Sequence, residues 1–255
     1  MSLTIISLIK QVPLPSEMRM GEDGAMDRTK AKSIINIDCQ FGLEAGLKLK
    51  RKYPDAKMVV VSMGPPPFEQ SLKNALSLGY DEAYLLSDRK LGGSDTFATG
   101  LAISTLLKSL GFSKDSKEKF IILAGRQSSD GDTAHVPSQV AESMGLPQAT
   151  FVERITSNAD GSITARRIIE GGYQMLKLPM PCVISFTPTG IKPRKASLVG
   201  AIKARHTDIG VKSVDDVKMS EADQALVGTS GSPTKVAAYR FQAKFRAIWF
   251  CCQVW

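Results

Sequence analysis

The residues able to do chemistry cluster where apolar runs stop. Phe120-Ile121-Ile122-Leu123-Ala124 ends at Gly125, and Arg126-Gln127-Ser128-Ser129-Asp130-Gly131-Asp132-Thr133-Ala134-His135 follows. The segment from Thr133 to Met144 is compatible with a helix. A helix start of this kind offers unpaired backbone N–H groups and a positive dipole end, which suits a phosphate. Gly125 and Gly131 permit close backbone approach, while Ser128, Ser129 and Thr133 supply hydroxyls. Asp130 and Asp132 would repel a phosphate, so they read as groups that cap the helix or bond ribose and backbone N–H groups. A capped strand-to-helix loop without any ligand would look the same, and these residues leave both readings open.

Two other helix starts have similar composition: Asn36-Ile37-Asp38-Cys39, with Asp38 as the expected N-cap, and Asp95-Thr96-Phe97-Ala98-Thr99. In an open α/β sheet such starts converge on one rim, at the carboxyl ends of the strands, where ligands bind. A shared pocket is more credible than any single one of them. Cys39 at a helix N-terminus is open to a depressed thiol pKa, or to being a small residue against a ligand. His135 and His206 fall in no serine–histidine–carboxylate order, and the four cysteines and two histidines show no metal-ligand spacing. Neither GxGxxG nor GxxxxGK[ST] occurs, which argues against a standard dinucleotide fingerprint and a P-loop ATPase. With no catalytic residue and no metal site assigned, the chemistry points to a bound cofactor.

The elements that must position these residues alternate. Leu3 to Ile9 reads as a buried strand, stopped by Pro13 and Pro15, and residues 16–33 as an excursion or small hairpin. A helix opens at Asn36–Asp38, and Met58 to Met63 forms a second strand. A helix from Phe68 to Leu78 ends at Gly79, and Ala83 to Leu86 is a third strand. Ser94-Asp95-Thr96 caps a helix closed by Gly111, and Phe120 to Ala124 is the fourth strand. This predicts a doubly wound, mostly parallel, Rossmann-like α/β domain. Thr150 to Thr156 and Ser162 to Ile169 alternate as half-exposed antiparallel strands, joined at Asn158–Gly161, and so form an extension. Cys182 to Phe186 is another buried strand and Lys195 to Arg205 a short basic helix. The expected division is a nucleotide-binding domain over 1–212 and a C-terminal arm over 213–255. Ile248-Trp249-Phe250-Cys251-Cys252 is too apolar for a free end and is expected to pack on a partner.

The 255 residues are 43% hydrophobic and 23% charged, ordinary for a globular protein. The net charge of +8 is scattered, without aromatic-interleaved basic motifs, so it suits protein docking or anion steering rather than nucleic-acid binding. No run approaches the ~18 apolar residues of a membrane span. The lack of CxxC spacing fits a reduced, cytoplasmic compartment.

Taken in order, several segments resemble those of the β subunit of electron-transfer flavoproteins, over nearly the full chain. They are Ile9-Lys10-Gln11-Val12-Pro13, Asn36-Ile37-Asp38-Cys39 before Leu43-Glu44-Ala45, Val61-Ser62-Met63-Gly64-Pro65, and Gly125-Arg126-Gln127 with Asp130-Gly131-Asp132-Thr133-Ala134. Glu170-Gly171-Gly172, Lys192-Pro193-Arg194-Lys195-Ala196 and Gly231-Ser232-Pro233-Thr234-Lys235-Val236 complete the set. The resemblance implies a heterodimer with a larger α subunit and an adenine nucleotide held against Leu8, Asn36 to Cys39, Met63 and the loop from Gly125 to Val136. That loop includes Gln127, Ser128, Gly131, Thr133, Ala134 and His135. Asp95, Thr96 and Thr99 sit in a segment resembling electron-bifurcating members, which implies a second FAD; AMP, as in simple electron carriers, is the alternative. A bifurcating member takes electrons from NADH and sends them to an acyl-CoA dehydrogenase and to ferredoxin or flavodoxin. Lys195 and Leu198 fall in the segment resembling the family's recognition loop, with Leu198 docking the dehydrogenase.

Overall fold

The computed structural model describes residues 3–14, 19–20, 26–27 and 32–234. The apolar tail at 248–252 therefore lies outside the described residues. β1 (Leu3–Leu8) is buried along its whole length. Beyond it, β2 (Gln11–Pro13) pairs with β5 (Ser33–Ile35) in a two-stranded antiparallel ribbon. The prolines thus stop the first strand but do not exclude a second short one, because Pro13 lies at the end of a ribbon where a missing N–H costs little. β3 (Arg19–Met20) and β4 (Met26–Asp27) pair as the small hairpin expected in this excursion.

Strand and helix then alternate: α1 (Ile37–Lys52), β6 (Lys57–Met63), α2 (Glu69–Ser77), β7 (Glu82–Leu86), α3 (Thr96–Ser109), β8 (Lys119–Gly125) and α4 (Val136–Met144). β9 (Gln148–Ser157), β10 (Ile163–Ile169) and β11 (Gly172–Leu178) form the extension, followed by β12 (Cys182–Phe186), α5 (Leu198–His206) and β13 (Ile209–Lys212). The short helices α6 (Glu221–Gln224) and α7 (Gly228–Gly231) close the described chain.

The main sheet has nine strands in the order β11-β10-β9-β12-β8-β1-β6-β7-β13. β10 runs antiparallel to both its neighbours, and the remaining pairings in this sheet are parallel. β11 and β13 both escape the sequence pattern. Each is an edge strand, and β11 is largely solvent-exposed, so no apolar run marks it.

Helices cover both faces. Leu3 and Ile5 join Leu43, Leu47 and Leu72 on one side of the sheet. Ile6 and Leu8 join Ala98, Leu106 and Val140 on the other, together with Val214, Val217, Met219 and Val227 from the last described stretch. Burial of alternate residues on opposite faces is what a parallel strand covered on both sides requires. The chain starts at β1, moves outward through β6 and β7, and returns to β8 on the far side of β1, in register Leu8 with Ala124. That reversal is a topological switch point, and it opens a crevice at the carboxyl ends of β1 and β8. Among the described residues no helix is long and apolar enough to cross a membrane.

Candidate functional site

A cavity of about 920 Å³ lies over the ends of β1, β6, β7 and β8. Its floor includes Leu8, Cys39, Met63 and Gly125; one wall is the loop from Arg126 to Val136, and the other runs from Leu91 to Thr99. Of the expected site residues, Leu8, Cys39, Met63, Asp95, Thr96, Thr99, Gly125, Arg126, Gln127, Ser128, Gly131, Thr133, Ala134, His135 and Val136 line this space. Asn36, Asp38, Asp130 and Asp132 do not line it, and their bonds show what they do instead.

Asn36 is buried at 2% exposure and bridges the loop. Its Nδ2 donates to the Gln127 carbonyl at 2.6 Å, and its Oδ1 accepts from the Ser129 amide at 3.0 Å. Asn36→Ala leaves both backbone groups short of a partner, so an expected loss of about 2 kcal/mol in urea unfolding follows; wild-type stability would rule out the bridge. Asp130 accepts from Lys10 Nζ at 2.8 Å, and the same ammonium reaches Ser128 Oγ at 3.3 Å. Burial opposes charge on Asp130, but the Lys10 ammonium and Ser128 hydroxyl outweigh it and hold the carboxyl below its ordinary value. Asp132 accepts from the Gln127 side-chain amide.

Neither aspartate caps α4, which corrects the capping half of the sequence expectation. The helix starts at Val136, not Thr133, with His135 at the N-cap making no side-chain cap bond. The delay has a backbone cause. Asp132 and Ala134 take left-handed conformations, with φ of 51° and 58°, which a helix cannot include. Left-handed residues in such a loop turn amides inward in an anion-binding concavity. Among the described residues the amides of Thr133, Ala134 and His135 donate to no protein acceptor.

The N-cap of α1 is Asn36 rather than Asp38, which sits inside the first turn. Asp38 Oδ2 lies 3.2 Å from Arg126 Nε, as an ion pair too poorly aligned for a hydrogen bond. Burial raises the Asp38 carboxyl pKa, with Arg126 opposing it. The Arg126 guanidinium also lies 5.8 Å from the ring centroid of Phe151, a residue at φ 57° beside an irregularity in the β9–β12 pairing. Cys39 is buried, and burial pushes its thiol up rather than down, which removes the reactive reading. It is a small residue against the cavity.

Asp95 does cap its helix: Oδ1 accepts from the Ala98 amide at 3.0 Å. Its other oxygen accepts from the Thr234 amide at 2.8 Å, and its own amide donates to Ser232 Oγ at 2.9 Å. The segment around Ser232 and Thr234 is thereby tied along the cavity wall, and Thr234 joins the lining. The sequence reading missed Thr234, Lys10, Phe68 and Arg89 as site residues. Lys10 carried a signal as the first cation after β1, and Thr234 as part of a segment resembling the family.

The arrangement can hold an extended anionic ligand with an apolar body. Free amides and the α4 N-terminus face one end, the capped start of α3 the other, and Leu8, Met63 and Phe68 lie between. Lys195 and Leu198 lie elsewhere. Lys195 lines a small cavity of about 260 Å³ beside Glu44 and Arg194. Leu198 begins α5 and is 78% exposed.

Residues 23–217 match the family model described as the electron transfer flavoprotein domain. The chain is 38% identical over 235 residues to "Electron transfer flavoprotein subunit beta" of Megasphaera elsdenii, covering 92% of this chain and 86% of that protein. It is 35% identical over 235 residues to "Caffeyl-CoA reductase-Etf complex subunit CarD" of Acetobacterium woodii, with the same coverage of 92% and 86%. "Acryloyl-CoA reductase electron transfer subunit gamma" of Anaerotignum propionicum is 35% identical over 239 residues, again covering 92% and 86%.

Proposed function

The chain belongs to the electron transfer flavoprotein family as a β subunit, and from that premise we propose that it holds FAD in the cavity at the switch point. It does so within a heterodimer with an α subunit. Together they pass electrons between NADH, an acyl-CoA dehydrogenase and ferredoxin or flavodoxin, in the cytoplasm. The observation that carries this reading is the cavity itself. At about 920 Å³ it stands near the upper end of the ~300–1,000 Å³ of small-molecule sites. It also continues past the loop from Arg126 to Val136 to the start of α3, an extent that supports a dinucleotide over a mononucleotide.

FAD, when bound, supplies the redox chemistry. The chain's own residues bind and orient it. The amides of Thr133, Ala134 and His135 take phosphate oxygens, and Lys10 neutralises Asp130, so the carboxylate does not repel the phosphate at that end. Asn36 keeps the loop in place, and Leu8, Met63 and Phe68 exclude water from the apolar part. Thr96 and Thr99 offer hydroxyls at the far end. Asp95 acts through the backbone rather than on the ligand. No side chain here is an acid–base catalyst in this reading; the protein's part is placement and electrostatics.

The names of two relatives, a caffeyl-CoA reductase complex subunit and an acryloyl-CoA reductase electron transfer subunit, support an acyl-CoA dehydrogenase or reductase as partner. Leu198 is the docking residue, flanked by Lys195. Of the expected arm, Val214, Val217, Met219 and Val227 are anchored in this chain's own core, so the α subunit would meet only the outer side of that stretch. The test is to purify the heterodimer, denature it and identify the released nucleotides. A second FAD per heterodimer is the expected result. A single FAD with AMP would overturn it in favour of a simple electron carrier with a structural nucleotide.

A further inference from the structure

We propose that Lys73 is a positioning residue for partner docking: it fixes α5 so that the apolar face of that helix is presented in one orientation. The inference rests on the docking role proposed above for Leu198. α5 is a nine-residue helix with one buried residue, Ala204. Leu198, Val199 and Ile202 are 78%, 77% and 52% exposed. A helix this short is not stable alone, and most helices are held by burying an apolar face. Here the apolar face points outward, so something else must hold the helix.

The holding contacts are polar and directed at the backbone. At the start, Ser197 Oγ accepts from the Gly200 amide at 3.1 Å. In the middle, Gly200 lies against the Ser77 carbonyl of α2, so closely that a Cβ there would sit 2.2 Å from the oxygen. At the end, the Lys73 ammonium from α2 donates to the carbonyls of Ala204 at 3.0 Å, Arg205 at 3.3 Å and Thr207 at 2.6 Å. One cation thus serves three carbonyls at the helix terminus, where the Ala204 carbonyl otherwise accepts only the long 3.4 Å bond from the Thr207 amide, at the negative end of the helix dipole. Lys73 is the contact that needs a charge. It leaves Leu198, Val199 and Ile202 free to meet a partner.

The occupant this surface fits is the acyl-CoA dehydrogenase of the proposed reaction, presenting an apolar socket with an acidic rim. Lys195, Lys203 and Arg205, all exposed in the same segment, supply the complementary charge. A knob already ordered before contact loses less freedom on binding, so loosening α5 weakens docking without touching the nucleotide cavity.

The experiment uses the heterodimer and an acyl-CoA dehydrogenase purified from the same organism, with electron transfer measured against dehydrogenase concentration. Lys73→Met is expected to raise KM for the dehydrogenase about tenfold, with kcat and bound nucleotide unchanged and amide exchange across 198–207 faster. Lys73→Arg is expected to restore KM. Leu198→Ala is run beside them and is expected to raise KM as well. If Leu198→Ala raises KM but Lys73→Met does not, the positioning role is rejected. Wild-type KM in both variants rejects the docking reading itself. Nucleotide loss or a matching fall in kcat in Lys73→Met would mark Lys73 as merely structural, and so would failure of Lys73→Arg to rescue.

Discussion

Gly125→Ala is expected to strip the β-subunit nucleotide and to destabilise the chain by about 3 kcal/mol, the upper end for overpacking. Gly125 is the last residue of β8, and the start of α1 crosses directly over it. A Cβ added there would lie 2.5 Å from the Cys39 amide nitrogen and 2.6 Å from the Asp38 carbonyl carbon. Both obstacles are backbone, so no rotamer change relieves them; the start of α1 must move. That movement carries Asn36 with it, and Asn36 holds the loop through Gln127 and Ser129. The amides of Thr133, Ala134 and His135, proposed above to take the phosphate, then lose their common geometry. Urea unfolding and nucleotide content of the purified heterodimer measure both effects. Retention of full nucleotide with wild-type stability would mean that α1 and β8 are not in the close contact described.

Arg194→Ala is the second variant with a large expected effect. The Glu44 side chain is only 6% exposed, and Arg194 meets it in a forked pair. Nε donates to Oε2 and Nη2 to Oε1, each at 2.7 Å, while the Arg194 amide adds a contact at 3.2 Å. Removing the arginine leaves a buried carboxylate without its partner. Because the guanidinium is itself 33% exposed, the expected cost is about 3 kcal/mol, the low end for breaking a buried pair. The pH dependence follows from the sign of the Glu44 shift. Burial pushes its carboxyl up, but the bonds and charge of Arg194 outweigh burial and hold it below the ordinary 4.5. The pair's contribution is therefore fully present above that value and fades as pH falls through the lower, folded-state value. The stability gap between wild type and Arg194→Ala should be widest near neutrality and narrow below about pH 4.5. A gap that stays constant from pH 7 to 4 would show that the carboxylate is not what the arginine stabilises.

Much of the fold was legible because its signals are local. Met58 to Met63 and Phe120 to Ala124 are buried β-branched and apolar runs, and each lies within an observed strand, β6 and β8. Asp95 was expected to cap a helix and does so. Cys182 to Phe186 coincides with β12. The misses were elements whose pattern is set from outside. β11 is an edge strand whose apolar residues are divided between its two faces, so Gly172 to Leu178 shows no single apolar face to read. The start of α4 moved to Val136 because Asp132 and Ala134 adopt left-handed backbone, a state sequence propensity does not assign to alanine.

The site divides in the same way. The three helix starts that were expected to share a rim do share one, since strand direction and chain order suffice to place them. The roles of individual side chains did not follow. Asp130 is committed to Lys10, Asp132 to Gln127 and Asp38 to Arg126. Cys39 is raised by burial where a helix N-terminus alone suggests the opposite. Periodicity, caps and turn residues act over a few positions, so the sequence by itself determined the alternating α/β order, the family and the stretches that meet at the strand ends. Charge pairing and desolvation depend on neighbours such as Arg194 and Glu44, which are far apart in the chain and adjacent only once the sheet and its helices have packed. Only the tertiary structure therefore decided which polar groups face the cavity and which hold its walls.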